Sequence, residues 1–196
     1  MSSTGRGAQR KDYDKYFTPT WLVDAFFDAW KEHNPELHVH WSSVLEPACG
    51  SGAIVEALRY HLSRSSILFS DIAPEESFDA PKIDFMSMPA YPGFDLIMTN
   101  PPYTLAEDFV MHGLKLLNDV TTSRLVLLLR INFFGGQARY SWLSKHMPDC
   151  AYVTPRRPNF VGKGTDSTEY AWFVWKKEPA EYTKVYLMDT RSERYK

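Results

Sequence analysis

The chain has 196 residues, 44% of them hydrophobic and 15% aromatic, which fits one globular domain with a full core and excludes a disordered or low-complexity protein. A formal net charge of −2 argues against a uniformly basic nucleic-acid binder. The charge is unevenly spread, however: residues 21–120 hold 5 Lys and Arg against 15 Asp and Glu, residues 121–196 hold 13 against 7, and residues 1–20 hold 4 against 2. An acidic half beside a basic half suits a fold with a cationic ligand on one side and a phosphate backbone on the other, and suits scattered solvated surface equally well.

No apolar run approaches a membrane span, and the first seven residues lack the apolar core of a signal peptide, so a soluble, cytoplasmic protein is expected. The two cysteines, Cys49 and Cys150, do not form a disulfide framework or a cysteine zinc site. His38 and His40 have no carboxylate or cysteine companions nearby in sequence and read as loop surface, so no metal is expected.

Taken in order, residues 1–12 are rich in Ser, Gly and Arg and read as a tail. Thr18 is a natural N-cap and Pro19 a natural first helical residue, with Leu22, Phe26 and Trp30 on one face until Asn34 and Pro35 stop the helix. Residues 41–47 read as the first central strand. It runs through Glu46, Pro47, Ala48, Cys49 and Gly50 to Gly52, a glycine turn that lets the backbone approach a ligand and aims helix N–H groups at it. A helix follows from Ala53 to about His61. The next strand, 66–70, ends at Asp71, 19 positions beyond Gly52, where an acid is placed to accept hydrogen bonds from ribose hydroxyls or to cap a turn.

Ile83, Asp84 and Phe85 lead into a proline-rich return, then an apolar strand that begins at Asp95 and ends at Asn100-Pro101-Pro102-Tyr103. Consecutive prolines allow neither ladder bonding nor helix, so the chain must leave the sheet there. Pro102 biases Pro101 toward an extended backbone. The Asn100 side-chain amide and the Pro101 carbonyl are thereby held at the strand's carboxyl end as two acceptors, followed at once by the Tyr103 ring. A planar amino group, with two N–H donors and a flat π system, is what such a set would grip.

Beyond Tyr103 the pattern predicts a helix over 104–118 with Leu105, Phe109, Leu114 and Leu117 inward, and a doubly buried strand over 124–130. A helix over 137–147 and strands over 149–154, 167–175 and 182–188 complete the chain. Between the last helix and the last strands lies a basic, glycine-punctuated loop holding Arg157, Phe160 and Lys163, which reads either as an ordinary hairpin loop or as a place where a base stacks on Phe160 while Arg157 and Lys163 hold phosphates.

Asn100-Pro101-Pro102-Tyr103 after an Asp-plus-apolar strand resembles motif IV of S-adenosylmethionine-dependent methyltransferases acting on planar nitrogens, above all the N6-adenine DNA methyltransferases. Glu46-Pro47-Ala48-Cys49-Gly50-Ser51-Gly52 closely resembles their motif I, Phe17-Thr18-Pro19 their motif X, Ile83-Asp84-Phe85 their motif III, and the loop around Phe160, loosely, their motif VIII. The resemblance covers nearly the whole chain and the motif order is that of the gamma arrangement. It implies a doubly wound, mostly parallel seven-stranded α/β sheet in a single domain, with the glycine turn after the first strand and the Asn-Pro-Pro-Tyr strand fourth. It further implies S-adenosylmethionine held by Phe17, Thr18, Glu46, Pro47, Ala48, Gly50, Gly52, Asp71, Ile72, Asp84, Phe85 and Asn100, and catalysis by Asn100, Pro101, Pro102 and Tyr103.

The implied partner is nucleic acid, DNA in the first place. Little chain is left for a separate target-recognition region, so the resemblance implies an enzyme relaxed in target choice or reliant on its Arg/Lys loops or on self-association. RNA adenine methyltransferases and protein-glutamine methyltransferases share the motif IV pattern, and a non-catalytic cofactor- or nucleic-acid-binding module is the alternative outside enzymes.

Overall fold

The computed structural model describes residues 18–35, 40–90, 93–160, 168–191 and 195; Phe17, Lys163, His38 and the 1–12 segment lie outside them. The run expected to be buried on both faces is the axis of the sheet. In β4 (Arg124–Arg130), Leu125, Leu127 and Leu129 face one side and Val126 and Leu128 the other, all in the core. On one flank β4 pairs in parallel with β3 (Leu96–Thr99), which pairs with β1 (Ser43–Glu46) and that in turn with β2 (Ser66–Phe69). On the other flank lie β6 (Tyr170–Trp175), β5 (Cys150–Thr154) and β7 (Lys184–Leu187), giving the seven-stranded order β2-β1-β3-β4-β6-β5-β7. Only β6 runs against the rest. This is the doubly wound, mostly parallel sheet expected from the sequence.

Both faces are covered, as parallel sheets require. On one side α1 (Thr20–His33) and α2 (Ala53–His61) pack over Val44, Leu96, Met98, Tyr152 and Trp172. On the other, α3 (Ala106–Leu116) and the segment after β4 pack over Leu45, Ile97, Phe173 and Trp175. β6 therefore buries all six of its residues rather than one alternating face. Trp172 ties the α1 face together: its indole Nε1 donates to Leu22 O at 3.0 Å, and its ring lies 5.7 Å from that of Phe26. α2 has the bounds expected of it, and α1 stops where Asn34 closes it, donating N–H and Nδ2 to Trp30 O at 3.0 and 2.9 Å.

Four expectations are corrected. Thr18 does not cap α1: the helix begins at Thr20 with Pro19 as its N-cap and no side-chain cap bond. The Asn-Pro-Pro-Tyr strand is third, not fourth, because the segment before it makes only an isolated bridge, Asp71 to Lys82, with Asp71 N–H donating to Pro81 O at 3.1 Å. The helix over 137–147 is reduced to α4 (Tyr140–Leu143) with 3₁₀ turns at Ile131–Phe134 and Gln137–Arg139. Gly135 and Gly136, the latter at φ +102°, separate the two 3₁₀ turns, and Arg139 staples the second to its surroundings by donating to Glu107 Oε1 (2.8 Å) and Phe133 O (3.1 Å). Finally, Leu105 lies outside α3 in a 3₁₀ turn and is exposed.

Because Trp172 carries both a fully buried ring and a buried hydrogen bond, Trp172→Ala is expected to destabilise the fold by about 3–5 kcal/mol. Thermal unfolding should show this as a Tm drop on the order of 10 °C for a chain of this size.

Candidate active site

The parallel strands β1, β2 and β3 all end at one edge of the sheet, the edge at which open α/β sheets bind ligands. A single cleft there is lined by Thr18, by Pro47, Ala48, Cys49, Gly50, Ser51, Ala53 and Ile54 after β1, and by Asp71 and Ile72 after β2. Asp84, Phe85 and Met86 close another side, and Asn100, Pro102, Leu105 and Phe109 complete it. Segments far apart in sequence thus converge, and nine of the residues singled out for the cofactor share this one surface.

Local geometry explains how each is held. Gly50 sits at φ +50° and its N–H donates to Asp71 Oδ2 at 2.8 Å, so the acid at the end of β2 fixes the glycine turn at the end of β1. The other Asp71 oxygen accepts from Ala73 N–H at 2.8 Å. Each carboxylate oxygen keeps a further lone pair for an outside donor. Asp84 caps the turn that follows it, accepting Met86 N–H at 3.0 Å. That turn presents the Phe85 ring to the cleft, backed by Phe109 at 4.8 Å and edge-on to His112 at 4.9 Å. Gly52 does not line the cleft. It holds φ +84°, and a Cβ there would meet the Phe78 ring at 2.4 Å, so it is a glycine because another side chain covers it.

Glu46 also lies beneath the cleft rather than in it. It is fully buried, and Ala48 N–H donates to its Oε1 at 3.0 Å. Burial, with the charge of Asp71 adding to it, pushes its carboxyl up to about 8. Cys49, in the cleft wall, has its thiol pushed up to about 12 by burial and then by the charges of Glu46 and Asp71. Neither Cys49 nor Cys150 is in a disulfide.

The Asn-Pro-Pro-Tyr corner is the partition between this cleft and a second one. Asn100 and Pro102 line the first; Tyr103 lines the second, with Ala106, Leu129, Arg130, Asn132, Phe133, Gly135, Gly136 and Arg139. Pro101 is buried between them. Pro102 O accepts Leu105 N–H at 2.9 Å, which closes the turn and leaves the Pro101 carbonyl outside that bond. Asn100 Nδ2 donates to Thr18 Oγ1 at 3.1 Å. The Tyr103 ring has Arg130 Cζ 5.0 Å from its centroid and the Tyr170 ring at 5.9 Å.

The basic loop is corrected at Phe160. Phe160 is buried at 2% exposure, packed into the α1-side core with its ring 5.0 Å from Tyr170, so it has no free face for a base. Arg157 is exposed but paired with Glu169, Nη2 to Oε1 at 2.5 Å. Arg130, Asn132 and Arg139 were not singled out from the sequence, although a charge closing an apolar strand, as Arg130 does, signals the ligand edge.

No protein-family model matches the chain. Over 103 residues, 48% of its length, it is 32% identical to the type II methyltransferase M.CvrRI of Paramecium bursaria Chlorella virus XZ-6E, spanning about a quarter (26%) of that protein. Among solved structures, a Listeria monocytogenes protein described as a class I S-adenosylmethionine-dependent methyltransferase superposes with a TM-score of 0.64 at 11% identity, over 92% of this chain and 68% of that one. The fold is that of the class I methyltransferases. The M protein of the type I restriction enzyme EcoKI shares this methyltransferase fold with a TM-score of 0.61 at 13% identity, over 92% of this chain and 50% of that one. Among the described residues no group of His, Cys, Asp and Glu could hold a metal ion, and no helix is long and apolar enough to cross a membrane.

Within a methyltransferase fold the donor set of the first cleft fits S-adenosylmethionine. The cleft offers the Asp71 carboxylate as an acceptor and, beside Asp84, the apolar surface of Ile72, Phe85 and Phe109.

Two outcomes are expected. Folded Glu46 keeps its proton up to about pH 8 while an unfolded glutamate loses it near 4.5, so the folded state binds more protons and stability falls as pH rises through that interval, levelling off above it. Thermal melts across this range should show the fall in wild type and a flatter profile in Glu46→Gln. Asp71→Ala removes a carboxylate from the cleft wall and the tether of Gly50, and should weaken S-adenosylhomocysteine binding, read by calorimetry, by about tenfold or more.

Proposed function

We propose that the protein transfers a methyl group from S-adenosylmethionine to the N6 amine of adenine in DNA. The observation that carries this reading is the position of the proline corner: one wall of it faces the cleft that fits the cofactor, and its aromatic end faces a separate cleft able to take a flat ring. When bound, S-adenosylmethionine supplies a methyl on a cationic sulfur that departs as a neutral thioether.

The residues do the rest. The N6 lone pair of adenine is delocalised into the ring, which makes it a poor nucleophile. Asn100 Oδ1 and Pro101 O, accepting its two N–H bonds, draw electron density back onto the nitrogen and hold it in line with the methyl carbon. As the N–C bond forms, the C–S pair returns to sulfur, and the displaced amine proton passes to solvent, since neither acceptor is a base. In duplex DNA the base must leave the stack, and stacking on Tyr103 recovers about 1–3 kcal/mol of that cost. With Phe160 buried, it is the guanidinium of Arg130 that lies over the Tyr103 ring, 5.0 Å from its centroid. DNA as the substrate is supported by likeness to a type II methyltransferase and to the M protein of a restriction enzyme.

The test is incubation with labelled S-adenosylmethionine against duplex DNA, single-stranded DNA, tRNA and a protein extract. Label recovered as N6-methyladenine in DNA is the expected result, and label confined to tRNA or to glutamine side chains overturns it. Asn100→Ala should lower turnover by about 100-fold or more, the scale of losing one preorganised contact to the reacting group, while S-adenosylhomocysteine affinity stays within about twofold.

A further inference from the structure

The wall of the second cleft holds a guanidinium whose donors are only partly used. Arg139 donates Nε to Glu107 Oε1 at 2.8 Å and Nη1 to Phe133 O at 3.1 Å and Gly135 O at 3.3 Å, and its Cζ lies 4.7 Å from the centroid of the Phe133 ring. Among the described residues these bonds take three of an arginine's five N–H groups, and the two on Nη2 remain. The side chain is thus fixed in orientation yet lines the cleft, 31% exposed. Beside it Gly136 turns at φ +102° with nothing within 4 Å of where a Cβ would stand, so this stretch of wall is bare backbone that a strand can approach closely. We infer that Arg139 is a phosphate-binding residue, and that the second cleft takes a phosphodiester of a nucleic-acid strand together with a base.

The inference rests on the function proposed above, in which a base enters this cleft, because a base brings its own phosphate with it. A guanidinium already oriented by other partners loses little freedom on gripping phosphate oxygens. The ion pair with Glu107 does not by itself account for the residue: its two side chains are 31% and 42% exposed, and pairs as exposed as this add little to stability. Glu107, in the first turn of α3, aims the guanidinium and offsets part of its charge. The two ends of one bond therefore act on a phosphate with opposite sign, Arg139 attracting it and Glu107 repelling it. A staple that only held the turn Gln137–Arg139 would respond alike to the loss of either end.

Arg139→Gln and Glu107→Gln each break that bond, and binding of fluorescent duplex DNA and of tRNA, followed by anisotropy between about 50 and 200 mM salt, separates the two roles. Arg139→Gln should weaken binding by about tenfold and flatten the slope of log affinity against log salt by about one. Glu107→Gln should tighten binding by about twofold. A wild-type salt slope in Arg139→Gln, or weaker or unchanged binding in Glu107→Gln, overturns the assignment; should Arg139→Gln fail to fold, Glu107→Gln decides alone. Wild type that binds neither nucleic acid overturns both this site and the function proposed above. The opposed pair of shifts on DNA without methyl transfer, or on tRNA alone, sustains the phosphate site and counts against that function instead.

Discussion

The constraint on which the rest depends is that β3 cannot continue. Thr99 is the last residue able to join the ladder, and two prolines then deny the chain both a sheet bond and a helical turn. The backbone is forced out at the carboxyl edge of the sheet, where the glycine turn after β1 and the acid after β2 also emerge. Three independent strand exits become one surface because the strands are parallel; with β3 reversed, Asn100 would lie at the opposite edge from Gly50 and Asp71.

What holds that edge in register lies behind it. At the other end of β3, Asp95 accepts Ser42 and Ser43 N–H groups at 2.8 and 3.0 Å and Asn118 Nδ2 at 2.9 Å. Burial alone would raise its carboxyl, but these hydrogen bonds outweigh it and hold the group below the usual carboxylate range. β1 and β3 are thereby locked together where they begin, and the core on both faces fixes where they end. α1, anchored through Leu22 to Trp172, delivers Thr18 to Asn100 from the opposite flank of the sheet. The site is thus assembled by tertiary structure acting on several short loops, none of which could hold its geometry alone.

Much of this was written locally. The glycine turn between a strand and a helix, the acid about 20 residues on, and the double proline each carry their structural reason within a few residues, and the cleft gathers them. α2 is legible to its ends because its apolar face and its neighbours agree. What escaped the sequence depends on partners from elsewhere. Phe160 sits among Arg, Pro and Asn, so its neighbourhood looks solvated; its burial is decided by Tyr170, from β6. Thr18 has the chemistry of a cap, and only the proximity of Asn100 shows its hydroxyl to be engaged elsewhere. The helix expected over 137–147 is replaced by tighter turns where Arg139 donates to Glu107, Phe133 O and Gly135 O. Arg130 and Asn132 follow a strand whose apolar core drew attention to packing, while the ligand edge is defined by where that strand stops.

The Cys49 thiol has a chemical consequence. It lines the first cleft, and sulfur anions are far better alkyl acceptors than an aromatic amine. Burial, with the charges of Glu46 and Asp71 adding to it, pushes the thiol up to about 12, so it stays protonated at neutral pH. The acidic surroundings of this cleft wall therefore keep the thiol protonated, and a protonated thiol is a poor acceptor for any electrophile that enters.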